Sequence, residues 1–145
     1  MNPWKGHREL IEALALLRSQ TPWVAWIIGG PQSPAEVEYY EGLRSLVRSR
    51  RLTERVHLLG QRDDPRRLLA AADIYCQANV ESEGFSLSFI DAFSAMLPVV
   101  TTEIGSAREV VPAGTGVLTP LNDASALASA LGGLVDDADS RLAMG

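Results

Sequence analysis

The residues best suited to chemistry stand close together, in Glu81-Ser82-Glu83-Gly84-Phe85-Ser86-Leu87, with Asp91 eight positions after Glu83. A glycine there lets a ligand approach the backbone, and the unbonded N–H groups that open the following helix form a natural phosphate or anion site. Asp91 lies inside residues 87–97, a helical run with almost no polar face. A carboxylate buried there without partners would cost several kcal/mol, so it must meet donors. Those donors are either loop amides, in a structural role, or ligand hydroxyls, in the way an acidic residue reads ribose in dinucleotide folds. Gly29-Gly30-Pro31 and Gly60-Gln61-Arg62 are two further glycine turns. His7 and His57 have no acid or thiol paired with them in sequence and read as exposed or core histidines. Cys76 reads as a small buried hydrophobe, Trp4, Trp23 and Trp26 as packing residues, and Arg66 and Arg67 as solvated. Arg108 and Glu109 read as an exposed helix pair. No Cys/His cluster has zinc-ligand spacing.

The elements that must position these residues alternate between short apolar or β-branched runs and helical periodicity, the mark of βαβ units and a parallel sheet. Helices are expected over 6–18, 34–51, 65–72, 86–95 and 106–111. In the second of them, Tyr39, Leu43 and Leu46 face inward. Another helix opens at Asp123 and runs to about residue 135, and residues 139–145 begin one more. Strands are expected over 23–28, 56–59, 74–78, 99–101 and 116–118, with Ser86 a candidate N-cap. The whole reads as one α/β domain, a doubly wound parallel sheet of Rossmann-like type, over residues 1–145. In such sheets ligands bind outside the carboxyl ends of the strands, where the two glycine turns and the run around Gly84 fall.

The chain has 145 residues, 46% hydrophobic and 21% charged, which suits a single core and excludes a disordered chain. Its apolar runs are far shorter than the roughly 20 residues a membrane span needs, and a cytoplasmic location is expected. A formal net charge of -5 disfavours non-specific nucleic-acid binding. Between Arg44 and Arg67, however, eight of the 13 basic residues face only three acidic ones. That cluster reads as a solvated face, with attraction of an anionic ligand or a membrane surface as the sharper alternative.

Residues 83–109 resemble the E-x7-E motif and its continuation in the group 1 (family 4) glycosyltransferases of the GT-B fold. Lys5-Gly6 with the following Leu10-Ile11-Glu12-Ala13, the strand ending Ile27-Ile28-Gly29-Gly30, and residues 56–60 fit the same family in order, so the resemblance covers essentially the whole chain. It implies the carboxyl-terminal, donor-binding half of a retaining transferase that moves a hexose from a nucleoside diphosphate sugar to a glycan, lipid or small-molecule acceptor. By this likeness Glu83 sits beside the donor sugar, and the amides of Gly84, Phe85, Ser86 and Leu87 cover sugar and diphosphate. Asp91 holds the ribose hydroxyls, and Lys5 neutralises the diphosphate and the charge developing on the leaving group. Gly29 and Gly30 would line the donor site, and Gly60, Gln61 and Arg62 would lie near the base. No cofactor and no metal are implied. An epimerase of the same architecture and a non-catalytic binding module are the other readings.

Asp91 stands where the family has glutamate, one methylene longer, and Met96 where it usually has glycine, which implies altered packing at that turn. The family's first strand, its last helix and the amino-terminal acceptor domain have no counterpart here. The chain is therefore expected to be a fragment, inactive alone, of a parent that can associate peripherally with the inner face of the membrane. In the strand order 3-2-1-4-5-6 the absent strand is central. The strands over 24–28 and 74–78 are then expected either to close on each other directly or to take part in strand exchange or a homodimer.

Overall fold

Strand and helix alternate through the computed structural model, which describes residues 1–82, 84 and 86–145. A 3-10 turn at Pro3–Lys5 leads to α1 (His7–Leu16), β1 (Ala25–Ile28), α2 (Pro34–Ser49), β2 (Val56–Gly60), α3 (Pro65–Leu69) and β3 (Tyr75–Gln77). There follow α4 (Leu87–Ser94), β4 (Val99–Thr102), α5 (Ala107–Val110), β5 (Gly116–Thr119), α6 (Ala124–Asp136) and α7 (Ala138–Met144). Every expected element is present, with its ends trimmed or extended by a few residues. Residues 17 and 18 fall outside α1, and β1 begins two residues later than the apolar run suggests.

The order is β2-β1 and β3-β4-β5, all parallel, but in two sheets rather than one. Among the described residues β1 and β3 do not close on each other. Leu10 and Leu14 of α1, Leu131 of α6 and Leu68 and Leu69 of α3 line the space between the two edges. The resulting slot encloses about 510 Å³.

One core spans both sheets. Ile11 and Leu14 of α1 pack with Leu127 and Leu131 of α6, and the same cluster takes in Ile27, Leu43, Val56 and Val100. Leu43 faces inward as expected, with Tyr39 and Leu46 packed at the margin. Val47, one turn on, is buried as well. A smaller cluster of Phe89, Ala92, Val99 and Val111 seats α4 on β4.

Two helices end in the same way. Leu97 N–H bonds Ala92 O at 3.1 Å and Met96 N–H bonds Phe93 O at 2.9 Å, the paired bonds of a Schellman ending, and Met96 takes the left-handed φ of 53° that this ending requires. Leu52 N–H to Val47 O and Arg51 N–H to Arg48 O repeat the pattern after α2, with Arg51 at φ 59°. The altered turn expected at Met96 is thus a glycine-type conformation carried by a methionine that is 75% exposed.

Candidate functional site

The carboxyl ends of the strands are shaped by glycine. Gly29 N–H bonds Gly60 O at 2.9 Å, with φ values of 129° and 68° at the two residues. A Cβ on Gly30 would meet Gln61 N at 2.9 Å, so the two turns pack backbone to backbone. Gln61 and Arg62 are exposed. The Arg62 guanidinium forks onto Asp64 through Nε and Nη2, both at 2.9 Å. This pair holds the Asp64 carboxyl below its usual range and raises Arg62, so the cation of this turn is already partnered.

Lys5 is placed by the backbone on either side of it. Gly6 has φ 68°, and a Cβ there would lie 1.6 Å from Ala78 O, so no other residue lets the chain pass so close to the end of β3. Trp4 O accepts from Val80 N–H at 2.9 Å, and the Met1 ammonium donates to Gly30 O at 3.1 Å and pairs with Glu36. Residues 1–6 therefore bridge the carboxyl ends of β1 and β3. Lys5 Nζ stands 4.3 Å from the Trp4 ring centroid, and the residue lines the slot together with Asn79 and Ser88.

Gln77, buried at the end of β3, organises that turn. Its Oε1 accepts from Tyr75 OH at 2.9 Å, Ser86 Oγ at 3.2 Å and Ser88 Oγ at 2.9 Å. Ser86 occupies the N-cap position as expected, but its hydroxyl goes to Gln77 and does not cap the helix. The opening N–H groups of α4, including that of Leu87, are left without a side-chain cap, as an anion-binding helix start requires. Ser106 Oγ donates to Gly84 O at 2.7 Å and ties this loop to the one after β4. Glu83 and Phe85, which the family resemblance leads one to expect at the donor sugar and diphosphate, lie outside the described residues. Gln77 itself was legible only as a polar residue interrupting an apolar strand.

Asp91 corrects its expectation. It is not buried: its side chain is 38% exposed, beside the open Leu87 and Ile90 on α4, because this face of the helix is not covered by the sheet. Its partner is the guanidinium of Arg66, with Nε 3.3 Å from Oδ1, rather than a loop amide. Arg66, read from sequence as solvated, is 85% exposed yet reaches from α3 to α4. The sequence carried no signal for the pair, since 25 residues separate its members.

The remaining candidates are structural. His7 is largely buried edge-on to Tyr39, and burial, then the positive charges of the chain amine and Lys5, lower it to about 4. Cys76 is half-buried in the slot, and burial pushes its thiol up to about 12. Arg108 pairs with Glu103 rather than with its neighbour Glu109. Within the basic cluster Arg44 pairs with Glu41, Arg50 with Glu12, and Arg55 lies over Trp23, which makes it a solvated, internally paired face. None of the described helices is long and apolar enough to cross a membrane.

Residues 1–137 match the family model for glycosyl transferases group 1. The phosphatidyl-myo-inositol mannosyltransferase of Mycolicibacterium smegmatis is 31% identical over 93% of this chain, which spans 34% of that protein's length. Among solved structures, Anabaena HepE in complex with UDP-glucose superposes with a TM-score of 0.90 and 30% identity, over 99% of this chain and 39% of that one. The carboxyl-terminal domain of a group 1 glycosyl transferase from Francisella tularensis, LpcC, shares the fold at a TM-score of 0.84 and 23% identity, covering 99% of this chain and 75% of that domain.

Proposed function

Since the chain belongs to the group 1 glycosyl transferases, we propose that it binds a nucleoside diphosphate sugar across the carboxyl ends of its strands, as the donor half of a retaining hexosyltransferase. The carrying observation is that one cavity is lined by both Lys5 and Ser88 of the first turn of α4. Lys5 is pinned there by Gly6 and Trp4, and the uncapped start of α4 is held there by Gln77. One supplies a positive charge and the other fixed N–H dipoles, which together suit a diphosphate. A structure of UDP-glucose bound to Anabaena HepE supports the ligand class.

In this reading the amides of Gly84, Phe85, Ser86 and Leu87 face the diphosphate and Lys5 stabilises the charge that grows on it as the glycosidic bond breaks. Glu83 lies beside the donor sugar, and Asp91 accepts from the ribose hydroxyls once Arg66 yields. Gly29 and Gly30 line the site, while Gly60, Gln61 and Arg62 border the base, with backbone groups reading it because the Arg62 side chain is committed to Asp64. No metal takes part. The acceptor is held by chain outside these 145 residues, so the isolated chain binds donor without transferring it.

Calorimetric titration with UDP, GDP and ADP tests the reading. Saturable binding to one nucleotide, weakened at least tenfold in Asp91→Ala and Lys5→Ala, is expected. Absence of binding to all three, or binding indifferent to both substitutions, overturns it. Sugar transfer by the purified chain, abolished in Glu83→Ala, would refute the inactivity of the isolated chain.

A further inference from the structure

Gln77 is fixed at the end of β3 from two sides. Thr101 Oγ1 of β4 donates to its backbone O at 2.8 Å, and the Tyr75 hydroxyl donates to its Oε1 at 2.9 Å. The Tyr75 ring in turn stands edge-on to Phe89 of α4, with centroids 6.1 Å apart. Gln77 and Ser86 are both buried, so a Ser86 hydroxyl that lost its acceptor would have little water to turn to.

The hydroxyls around the Gln77 amide exceed what one carbonyl oxygen accepts. Tyr75, Ser86 and Ser88 approach Oε1 at 2.9, 3.2 and 2.9 Å, and a carbonyl oxygen has two lone pairs. The 2.7 Å contact between the Ser86 and Ser88 hydroxyls takes up the excess. Ser86 Oγ thus has two partners, neither of them an N–H of α4. Its backbone, at φ -91° and ψ 114°, already has the extended geometry of an N-cap. Rotation about one side-chain bond therefore separates the observed state from one in which Ser86 Oγ accepts from the Ser88 or Phe89 N–H. With the hydroxyl on Gln77, the first-turn N–H groups stay open to an anion. With the hydroxyl on the helix, a neutral cap occupies one of them.

We propose that Gln77 is a positioning residue of the donor site, which holds the Ser86 hydroxyl off the start of α4 and so keeps those N–H groups for the diphosphate. This rests on the donor-site reading above. Without the Gln77 acceptor, Ser86 caps the helix and competes with the ligand for the same N–H group, at a loss of about fivefold in affinity.

Gln77→Met removes the acceptor and keeps the length of the side chain, and Gln77→Leu repeats the test if the first variant alters folding, which circular dichroism and the urea midpoint report. Calorimetric affinity for UDP, or for GDP or ADP where one of these is the nucleotide bound, should fall about fivefold in Gln77→Met. It should return to within about twofold of the unsubstituted chain in Gln77→Met/Ser86→Ala. A purely structural role for Gln77 predicts the reverse, since removing a second hydroxyl would add to the loss. Amide exchange reads the hold without any ligand. The Ser88 N–H should exchange fast in the unsubstituted chain, slow about fivefold in Gln77→Met, and be fast again in the double variant. A Ser88 amide already protected in the unsubstituted chain, no slowing in Gln77→Met, or a double variant that binds nucleotide no better than the single one overturns the proposal. If the unsubstituted chain binds none of the three nucleotides, the donor-site reading falls, and exchange at Ser88 alone decides whether Gln77 holds the hydroxyl.

Discussion

At Gly6 a single hydrogen atom decides whether Lys5 can stand where it does. A Cβ at this position would come within 1.6 Å of Ala78 O, on a backbone with φ 68°, which leaves alanine no accommodation short of moving α1. Gly6→Ala should therefore cost at least ~3 kcal/mol in urea unfolding, and in any folded fraction should weaken nucleotide binding with it. His7, the next residue, makes stability depend on pH. It is lowered from 6.5 to about 4 by burial first, so between those values the unfolded chain binds the proton and the folded chain does not. Stability is then intact above about 6.5 and falls as pH drops toward 4, by roughly 3 kcal/mol in total. Denaturation series at neutral pH and near pH 4.5 should show this loss, and His7→Phe should flatten it. At this scale the sequence was informative where local chemistry rules and silent where distance does. Lys5-Gly6 and the glycine turns stand out by residue type. The Asp91–Arg66 pair does not, because a carboxylate in an apolar helix reads as buried until the uncovered side of that helix is seen.

The elements were legible because their periodicities and stop signals agree; what a capping residue's side chain does was not. Ser86 shows why: type and position mark it as an N-cap, but the three hydroxyls converging on Gln77 take its side chain into a network across β3 and α4. The C-terminal end of α4 carries the opposite mismatch. Its hydrogen bonds form a complete Schellman ending, while Met96 at its left-handed position bears the Cβ penalty that glycine avoids. With that side chain 75% exposed, little packing is lost on truncation, and Met96→Gly should raise stability by about 1 kcal/mol, read as a shift of the urea midpoint at unchanged slope.

Across the whole molecule, one helical layer makes a unit of two sheets that share no ladder among the described residues. Leu131 of α6 belongs to the cluster that contains Ile27 of β1 and Val100 of β4, so its loss should loosen both sheets together. Leu131→Ala should cost about 3 kcal/mol, with far-ultraviolet circular dichroism and tryptophan fluorescence still falling in one coincident transition. Separate transitions would show that the sheets fold independently. The sequence implied the strand order, but not that β1 and β3 would share no ladder among the described residues, since alternation of apolar runs does not report the spacing between strands.

The packing of α1 against α6 also sets the order in which the chain can become stable. Ser19 Oγ and Thr21 N–H both bond Asp136 Oδ1, a closure across more than a hundred residues, and the apolar face of α1 has its partner in that same distant helix. Contacts of such long sequence separation form late, because the loop must close before they add any stability. On the ribosome, the first sheet and its helix would emerge with their hydrophobic face bare and wait for the roughly hundred residues that separate them from α6. Cotranslational folding of this domain therefore waits until α6 has been made, and the nascent chain before that point is the species for which a chaperone would have most to cover.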